Sequence, residues 1–422
     1  MFGQPPTMNI SINPYKLNNP MSTNNNLTPP CLALPASDLA YRVTASGFDK
    51  PSEDDWVASQ IYSYAGVYQY GYAYDDQPQE KPKDRLESAC LIYIDYGGHL
   101  TLSFRGTAGN TTCGVIKDWS TNLDCDLVAM KTPQGELEVH HGFKKELDVI
   151  WKGIMHWVRH FDPEAKRKIN ITGHSQGGAL AFIAAVKLAQ EKTDEGKHYN
   201  NIQGVTTFAA PKPGGLSFAK YYNDLKLQNE VTLGSVTVRY ENTADLVPLL
   251  PPNVNINYEN YEWIKKIIFG LLDSEYIRNL GGPECRDYIT KLVAHLEKMQ
   301  VKDFLSGFYP VGDHLCFIKY NGDTKMLNRE ENEECITLDF SNWMMNFCYK
   351  FGIFSHSVEA TPNIDWEEII NKIKEYVYPK VHQLLEAHTL QPGNGYMLAA
   401  CPNEAFAKGS DGKEFMHASK SE

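Results

Sequence analysis

The chain reads as an α/β protein: a mostly parallel sheet with helices on both faces and a helical insertion. Two observations carry this. Short β-branched or apolar runs alternate with helix-period segments between residues 89 and 240, the pattern of βαβ units. That alternation then stops at Pro251-Pro252 and an aromatic, amphipathic stretch follows. Length and composition agree. The 422 residues are 42% hydrophobic, long enough for one large domain with insertions or two or three small ones, and too apolar for a disordered chain.

Residues 1–35 carry Asn-Asn-Pro, Asn-Asn-Asn and Thr-Pro-Pro, the composition of a flexible N-terminal arm. Ala36 to Tyr74 places Ala, Tyr and Val at three- and four-residue intervals, which predicts helix. Ala89–Tyr96 and Leu100–Phe104, separated by Gly97-Gly98, predict a strand pair, and Glu136–His140 a short strand. Gly142–Phe161 predicts a helix, with apolar positions Phe143, Leu147, Ile150, Trp151, Ile154 and Val158. Lys168–Thr172, Gly204–Phe208 and Ser235–Tyr240 read as strands, and Gln176–Gln190 and Leu216–Leu225 as helices. Residues 258–305 read as a helical insertion, Leu315–Tyr320 as a returning strand and Asp365–Ala387 as a last long helix. The organisation expected is thus an arm over 1–35, a domain over 36–390 and a polar C-terminal tail over 391–422.

Forty Lys and Arg against 52 Asp and Glu leave a net charge of −12. That balance argues against nucleic acid as a partner, because phosphate neutralisation needs a basic face, and against strong adsorption to anionic membranes. It leaves a neutral or zwitterionic lipid open. No run of about 18 apolar residues marks a membrane span. The first residues lack a basic and apolar leader, so the expected location is cytoplasmic, or exported without a Sec signal peptide, as a secreted effector is. The nine cysteines show no C-x-x-C pair; reduced thiols are the expectation, with Cys113 and Cys125 a dispersed pair able to bridge. No H-E-x-x-H, EF-hand, Walker A or helix-opening G-x-G-x-x-G pattern occurs, so no metal or cofactor is expected. The acidic run Glu331–Glu334 reads as a solvated face.

One stretch carries chemistry: Lys168-Ile169-Asn170-Ile171-Thr172-Gly173-His174-Ser175-Gln176-Gly177-Gly178. It is a Gly-x-Ser-x-Gly pentapeptide between an apolar strand and an alanine-rich helix. A sharp strand-to-helix turn exposes a serine hydroxyl to a base and a carbonyl at once, and the helix N-terminus favours negative charge where an oxyanion forms. The segment Ile171–Ala181 resembles the serine turn of the class 3 (fungal-type) lipases, within the α/β-hydrolase fold. Three further segments resemble that family in its order: Ser103-Phe104-Arg105-Gly106-Thr107, Val139-His140-His141-Gly142-Phe143, and Arg239 to Pro248. The resemblance covers about 85–252 and resumes around 305–360.

It implies a serine carboxylester hydrolase of lipase or phospholipase A1 type that cleaves acyl esters of glycerolipids (acylglycerols, or phospholipids at the sn-1 position), with transient contact with a membrane or lipid surface. It assigns Ser175 as nucleophile, Asp245 as the acid (ahead of Asp224, inside a helix) and Gln176 and Thr107 as oxyanion donors, with Arg105 and His174 as supports. Downstream histidines are His295, His314, His356, His382 and His388. The segment Phe354-Ser355-His356-Ser357-Val358-Glu359 resembles the family's late base-bearing loop, which selects His356 ahead of His314. In the family a lid follows Thr107. Here Ala108–Lys117 lacks a bulky amphipathic helix, so Tyr258–Leu272 is either a cap or an ordinary packed helix. Two other classes stay open: a non-catalytic lipase-like scaffold that binds protein partners, and an acyltransferase using the same triad.

Overall fold

The computed structural model describes residues 30–44, 47–49, 61–72, 85–106, 126–242, 245, 247–251, 307–318 and 324–327, with Asn371, Glu375, His388, Leu390 and Tyr396. An eight-stranded sheet organises them. Its strands are β3 (Ile61–Tyr72), β4 (Arg85–Asp95), β5 (Leu100–Phe104), β8 (Ile169–His174), β9 (Ile202–Phe208), β10 (Thr237–Asn242), β11 (His314–Ile318) and β12 (Thr324–Leu327). The spatial order is β12-β11-β10-β9-β8-β5-β4-β3. The five strands from β5 to β11 run parallel, and β3, β4 and β12 add antiparallel edges. Two short pairs lie outside it: β1 (Val43–Thr44) with β2 (Gly47–Phe48), and the hairpin of β6 (Leu127–Thr132) and β7 (Gly135–His140).

The parallel strands lack polar alternation because both faces are covered. All five residues of β5 are buried. Among the described residues the helices with complete bounds are α1 (Pro30–Leu39), α2 (His141–Phe161), α3 (Gln176–Gln190) and α4 (Leu216–Asp224). β4 shows the two faces directly. Cys90, Ile92 and Ile94 join Leu102, Ile171 and the buried sides of α2 and α3 in one core, whereas Ala89, Leu91 and Tyr93 join Ala36, Leu39, Ala40 and Val43 of the N-terminal segment in another. On α2 the buried residues Phe143, Leu147, Ile150, Ile154, Val158 and Phe161 recur every three or four positions, a single stripe turned to the sheet. Truncating one of these to alanine costs about 2–5 kcal/mol. Helix α3 is apolar nearly all round and buried nearly all round, and its alanines let it lie close on β8 and β9.

Three expectations are corrected. Ala36–Tyr74 is not a continuous helix. Helix α1 ends at Leu39, and Ile61–Tyr72 is strand β3, paired antiparallel to β4. Its pattern is period two: Ile61, Ala65 and Val67 are buried while Tyr62 and Tyr64 are exposed, and tyrosine favours strand as well as amphipathic helix. The arm does not run to residue 35, since α1 starts at Pro30 and buries Ala33 and Leu34. Nor is the segment past 390 only a polar tail, because Tyr396 is fully buried. The 258–305 insertion, Ala108–Lys117 and Glu331–Glu334 lie outside the described residues, as do Cys113 and Cys125. Of the expected last helix, Asn371 and Glu375 are described and helical. Cys90 and Cys316 are free, buried thiols, and burial pushes both thiols up from the ordinary cysteine range. Among the described residues no helix is long and apolar enough to cross a membrane.

Candidate active site

The site forms at the carboxyl ends of β8 and β10. Strand β8 ends at His174 and α3 starts at Gln176, so one residue, Ser175, makes the whole reversal. Its backbone sits at φ 56°, ψ −131°, in the left-handed half of conformational space where a non-glycine residue is strained. The turn closes with the Ser175 amide on the Phe208 carbonyl (2.8 Å) and the Gly178 amide on the Ser175 carbonyl (2.9 Å). Glycines make it possible. A Cβ on Gly173 would collide with the Gly177 carbonyl, and one on Gly177 with the Phe104 carbonyl.

Asp245 follows β10 and is 1% exposed. Its Oδ1 accepts the Val247 amide at 3.0 Å. Its Oδ2 accepts two bonds, from His388 Nδ1 at 2.9 Å and from the Tyr396 hydroxyl at 2.8 Å. The other ring nitrogen of His388, Nε2, lies 2.8 Å from Ser175 Oγ. A carboxylate can only accept, so Nδ1 carries the proton and Nε2 faces the serine hydroxyl as an acceptor. The arrangement is a carboxylate, an imidazole and a hydroxyl in line.

Two tyrosines and a second histidine hold it. The Tyr396 hydroxyl donates to Asp245 and accepts the Asn242 amide (2.9 Å). Burial and then the Asp245 charge push its phenol well above the ordinary range, so it stays a donor. His174 Nε2 lies 2.6 Å from the His388 carbonyl, and its Nδ1 lies 2.7 Å from the Tyr41 hydroxyl. Burial first, and then His388, hold His174 well below the ordinary histidine range. A neutral ring has one proton. Nε2 carries it and donates to the His388 carbonyl, so Nδ1 accepts from Tyr41. The backbone of His388 is thereby tied to the segment after α1.

Gln176 opens α3, where no preceding turn supplies a carbonyl for its amide. Its side chain donates to the buried Glu146 carboxylate of α2. The strand end leading to Thr107 passes directly beside the serine: a Cβ on Gly106 would stand 3.3 Å from the Ser175 Cβ and would clash with the Tyr41 hydroxyl. Arg105 Nη1 donates to the Val43 carbonyl (2.7 Å), and its guanidinium lies 5.5 Å from the Tyr68 ring centre.

Of the residues expected from sequence, the structure thus brings together Ser175, Gln176 and Asp245. Thr107 and His356 lie outside the described residues. The imidazole that meets both Ser175 and Asp245 is that of His388, which the sequence pattern sets behind His356 and His314. His314 opens β11, where its Nε2 lies 3.2 Å from the Ser235 carbonyl, and Asp224 ends α4. Sequence reasoning misses Tyr396, Tyr41 and Glu146. A tyrosine a few residues beyond the base is a feature of the resembled family. His388 is followed by Tyr396, and that spacing is the signal available. No group of three or more potential metal ligands occurs among the described residues.

Comparison with known proteins accords with this reading. Residues 101–255 match the family model described as lipase (class 3). A lipase of Rhizomucor miehei is 28% identical over 221 residues, 52% of this chain and 51% of its own. The chloroplastic phospholipase A1-Igamma2 of Arabidopsis thaliana is 30% identical over 111 residues, 26% of this chain and 19% of its own. The chain therefore matches about half or less of the length of these relatives. Among solved structures, lipase II from Rhizopus niveus aligns over 53% of this chain and 74% of its own, at 19% identity and a TM-score of 0.38. Over residues 101–255 the chain is thus similar to the class 3 lipases, on a mostly parallel sheet with helices on both faces.

Proposed function

We propose that the protein is a serine carboxylester hydrolase that cleaves acyl esters of glycerolipids, as a lipase or phospholipase A1 does. The observation that carries this is the Asp245–His388–Ser175 line, closed at 2.9 and 2.8 Å. Similarity to a lipase and to a phospholipase A1 supports the lipid class.

Ser175 Oγ attacks the ester carbonyl while His388 Nε2 takes its proton. Asp245 holds the imidazole in the tautomer that can accept, and stabilises the imidazolium. The carbonyl oxygen becomes an anion stabilised by the amide of Gln176 and by that of Thr107, the second donor that the family resemblance assigns; each such donor contributes about 2.7–4 kcal/mol to the transition state. His388 returns the proton to the leaving alcohol, which departs and leaves an acyl-serine. Water, activated by the same histidine, attacks the acyl-serine and releases the fatty acid. Ser175 is 6% exposed and the His388 side chain 12%, so this chemistry runs below the surface, where electrostatic interactions are strong.

The test is fluorophosphonate labelling alongside hydrolysis of a panel of acyl esters. The wild type labels and releases fatty acid, and Ser175→Ala does neither. A folded wild type without labelling would overturn the proposal, and would leave the scaffold reading. Transfer of the acyl group to added alcohols in preference to water would move the chain to the acyltransferases.

A further inference from the structure

Gln176 has a second attachment that an oxyanion amide does not require. Its side-chain amide donates to Glu146 Oε2, and Ser88 Oγ of β4 stands 3.5 Å from the same oxygen. All three groups are buried: Gln176 is 5% exposed, Glu146 3% and Ser88 4%. The remaining carboxyl oxygen, Glu146 Oε1, is buried and has no hydrogen-bond partner among the described residues. An ionised carboxylate with a bare oxygen in such a place is far more costly than a neutral acid carrying its proton there.

We infer that Glu146, through its hydrogen bond to the Gln176 side chain, is a positioning residue for the oxyanion amide of residue 176. The inference rests on the hydrolase reading above and extends it. As a neutral acid, Glu146 offers an acceptor that holds the first residue of α3 against α2, and adds no charge to the pocket. As a carboxylate, it places a negative charge one side chain away from the oxygen on which the reaction builds its own negative charge. Ionisation therefore raises the barrier to acylation without weakening binding of the neutral ester. The groups facing Glu146 agree. Ser88 of β4 and Gln176 of α3 are uncharged, and the guanidinium of Arg105, after β5, is the charged group that acts on it. Burial pushes the Glu146 acid up to about 8, against the bonds from Gln176 and Ser88 and the Arg105 charge, which pull it down. The switch between the two forms thus falls just above neutrality.

The experiment measures kcat and KM across pH for a soluble, uncharged ester on the full chain, with active sites counted by fluorophosphonate. For the wild type, kcat falls about tenfold as pH rises past about 8, equivalent to about 1.4 kcal/mol in the barrier, while KM stays level. Glu146→Gln fixes the neutral form and lacks that alkaline limb. Gln176→Met keeps the backbone amide but cuts the tie, and lowers kcat about tenfold with KM within about twofold. Infrared difference spectra show a protonated carboxyl band in the wild type that is absent from Glu146→Gln. An active wild type whose alkaline limb persists in Glu146→Gln overturns the inference alone. If Glu146→Gln fails to fold, Gln176→Met decides, and an unchanged kcat overturns it. A folded wild type that neither labels nor turns over fails the hydrolase reading, and this inference with it.

Discussion

At Ser175 a single residue holds a conformation, φ 56°, that costs about 1–3 kcal/mol in an L-amino acid. Both the glycines that allow it and the strand and helix that impose it are contiguous in the chain. Locality is why the serine, the adjoining Gln176 and the acid after β10 are legible in the sequence. The histidine is not, because its partners lie 213 and 143 residues away and nothing short-range marks it except the later tyrosine. His356 sits in a segment with the family's pattern; His388 sits against Ser175. The two assignments separate by mutation. His388→Ala lowers kcat by about 10⁴-fold or more, because it removes the base and leaves only binding and oxyanion donors. His356→Ala stays within about threefold of the wild type on the same basis. Rates on one ester, with active sites counted by fluorophosphonate, decide between them. A comparable loss in His356→Ala would return the base to residue 356.

Helix α1, which sequence composition places partly in a loose arm, is fastened by polar bonds as well as by its buried face. Ser37 Oγ lies 2.8 Å from Thr172 Oγ1, Thr172 Oγ1 donates to the Thr206 carbonyl at 2.7 Å, and Ser103 Oγ donates to the Ala36 carbonyl at 2.7 Å. Those bonds fix the turn after α1, and with it Tyr41, beside the serine loop. None of this shows in periodicity: a Pro- and Asn-rich start suggests disorder, whereas three hydroxyls scattered over three elements meet only once the sheet has formed. The parallel strands are legible for the opposite reason, since a strand buried on both faces is a short, contiguous apolar run. Strand β3 is not, because tyrosines beside Ala, Gly and Val fit period 3.6 as well as period 2 over a dozen residues. The tie from Tyr41 through His174 to the His388 carbonyl makes the α1 segment part of the site. Tyr41→Phe removes the donor to the buried His174 Nδ1, an uncompensated loss of about 1–3 kcal/mol. Expected are a lower melting temperature and a kcat reduced by about tenfold, with KM little changed. Wild-type kcat in the Tyr41→Phe variant would show that the tie holds the fold and not the base.

Across the whole molecule, two buried groups pull stability in opposite directions as pH changes. Glu146 ionises near the ordinary 4.5 in the unfolded chain but only at about 8 in the folded one. Between those values the folded state binds the extra proton, so stability from this group is greatest at low pH and is lost as pH rises through that window. His174 does the reverse. It titrates near 6.5 when unfolded and well below that when folded, so the unfolded state binds the extra proton and stability is lost as pH falls below 6.5. From 4.5 up to 6.5 one slope offsets the other, for as long as His174 stays neutral in the folded state. Above 6.5 only the Glu146 slope remains, and the two groups together predict a decline toward about 8. Against a total of about 5–15 kcal/mol for a folded domain, a drop on the order of a few kcal/mol is readily measured. Glu146→Gln removes one slope and leaves the other, so its melting temperature relative to the wild type climbs steadily between pH 4.5 and about 8 and levels off beyond. A difference that stays constant across that range would mean that residue 146 is already ionised when folded, and the neutral acid beside Gln176 would have to be abandoned.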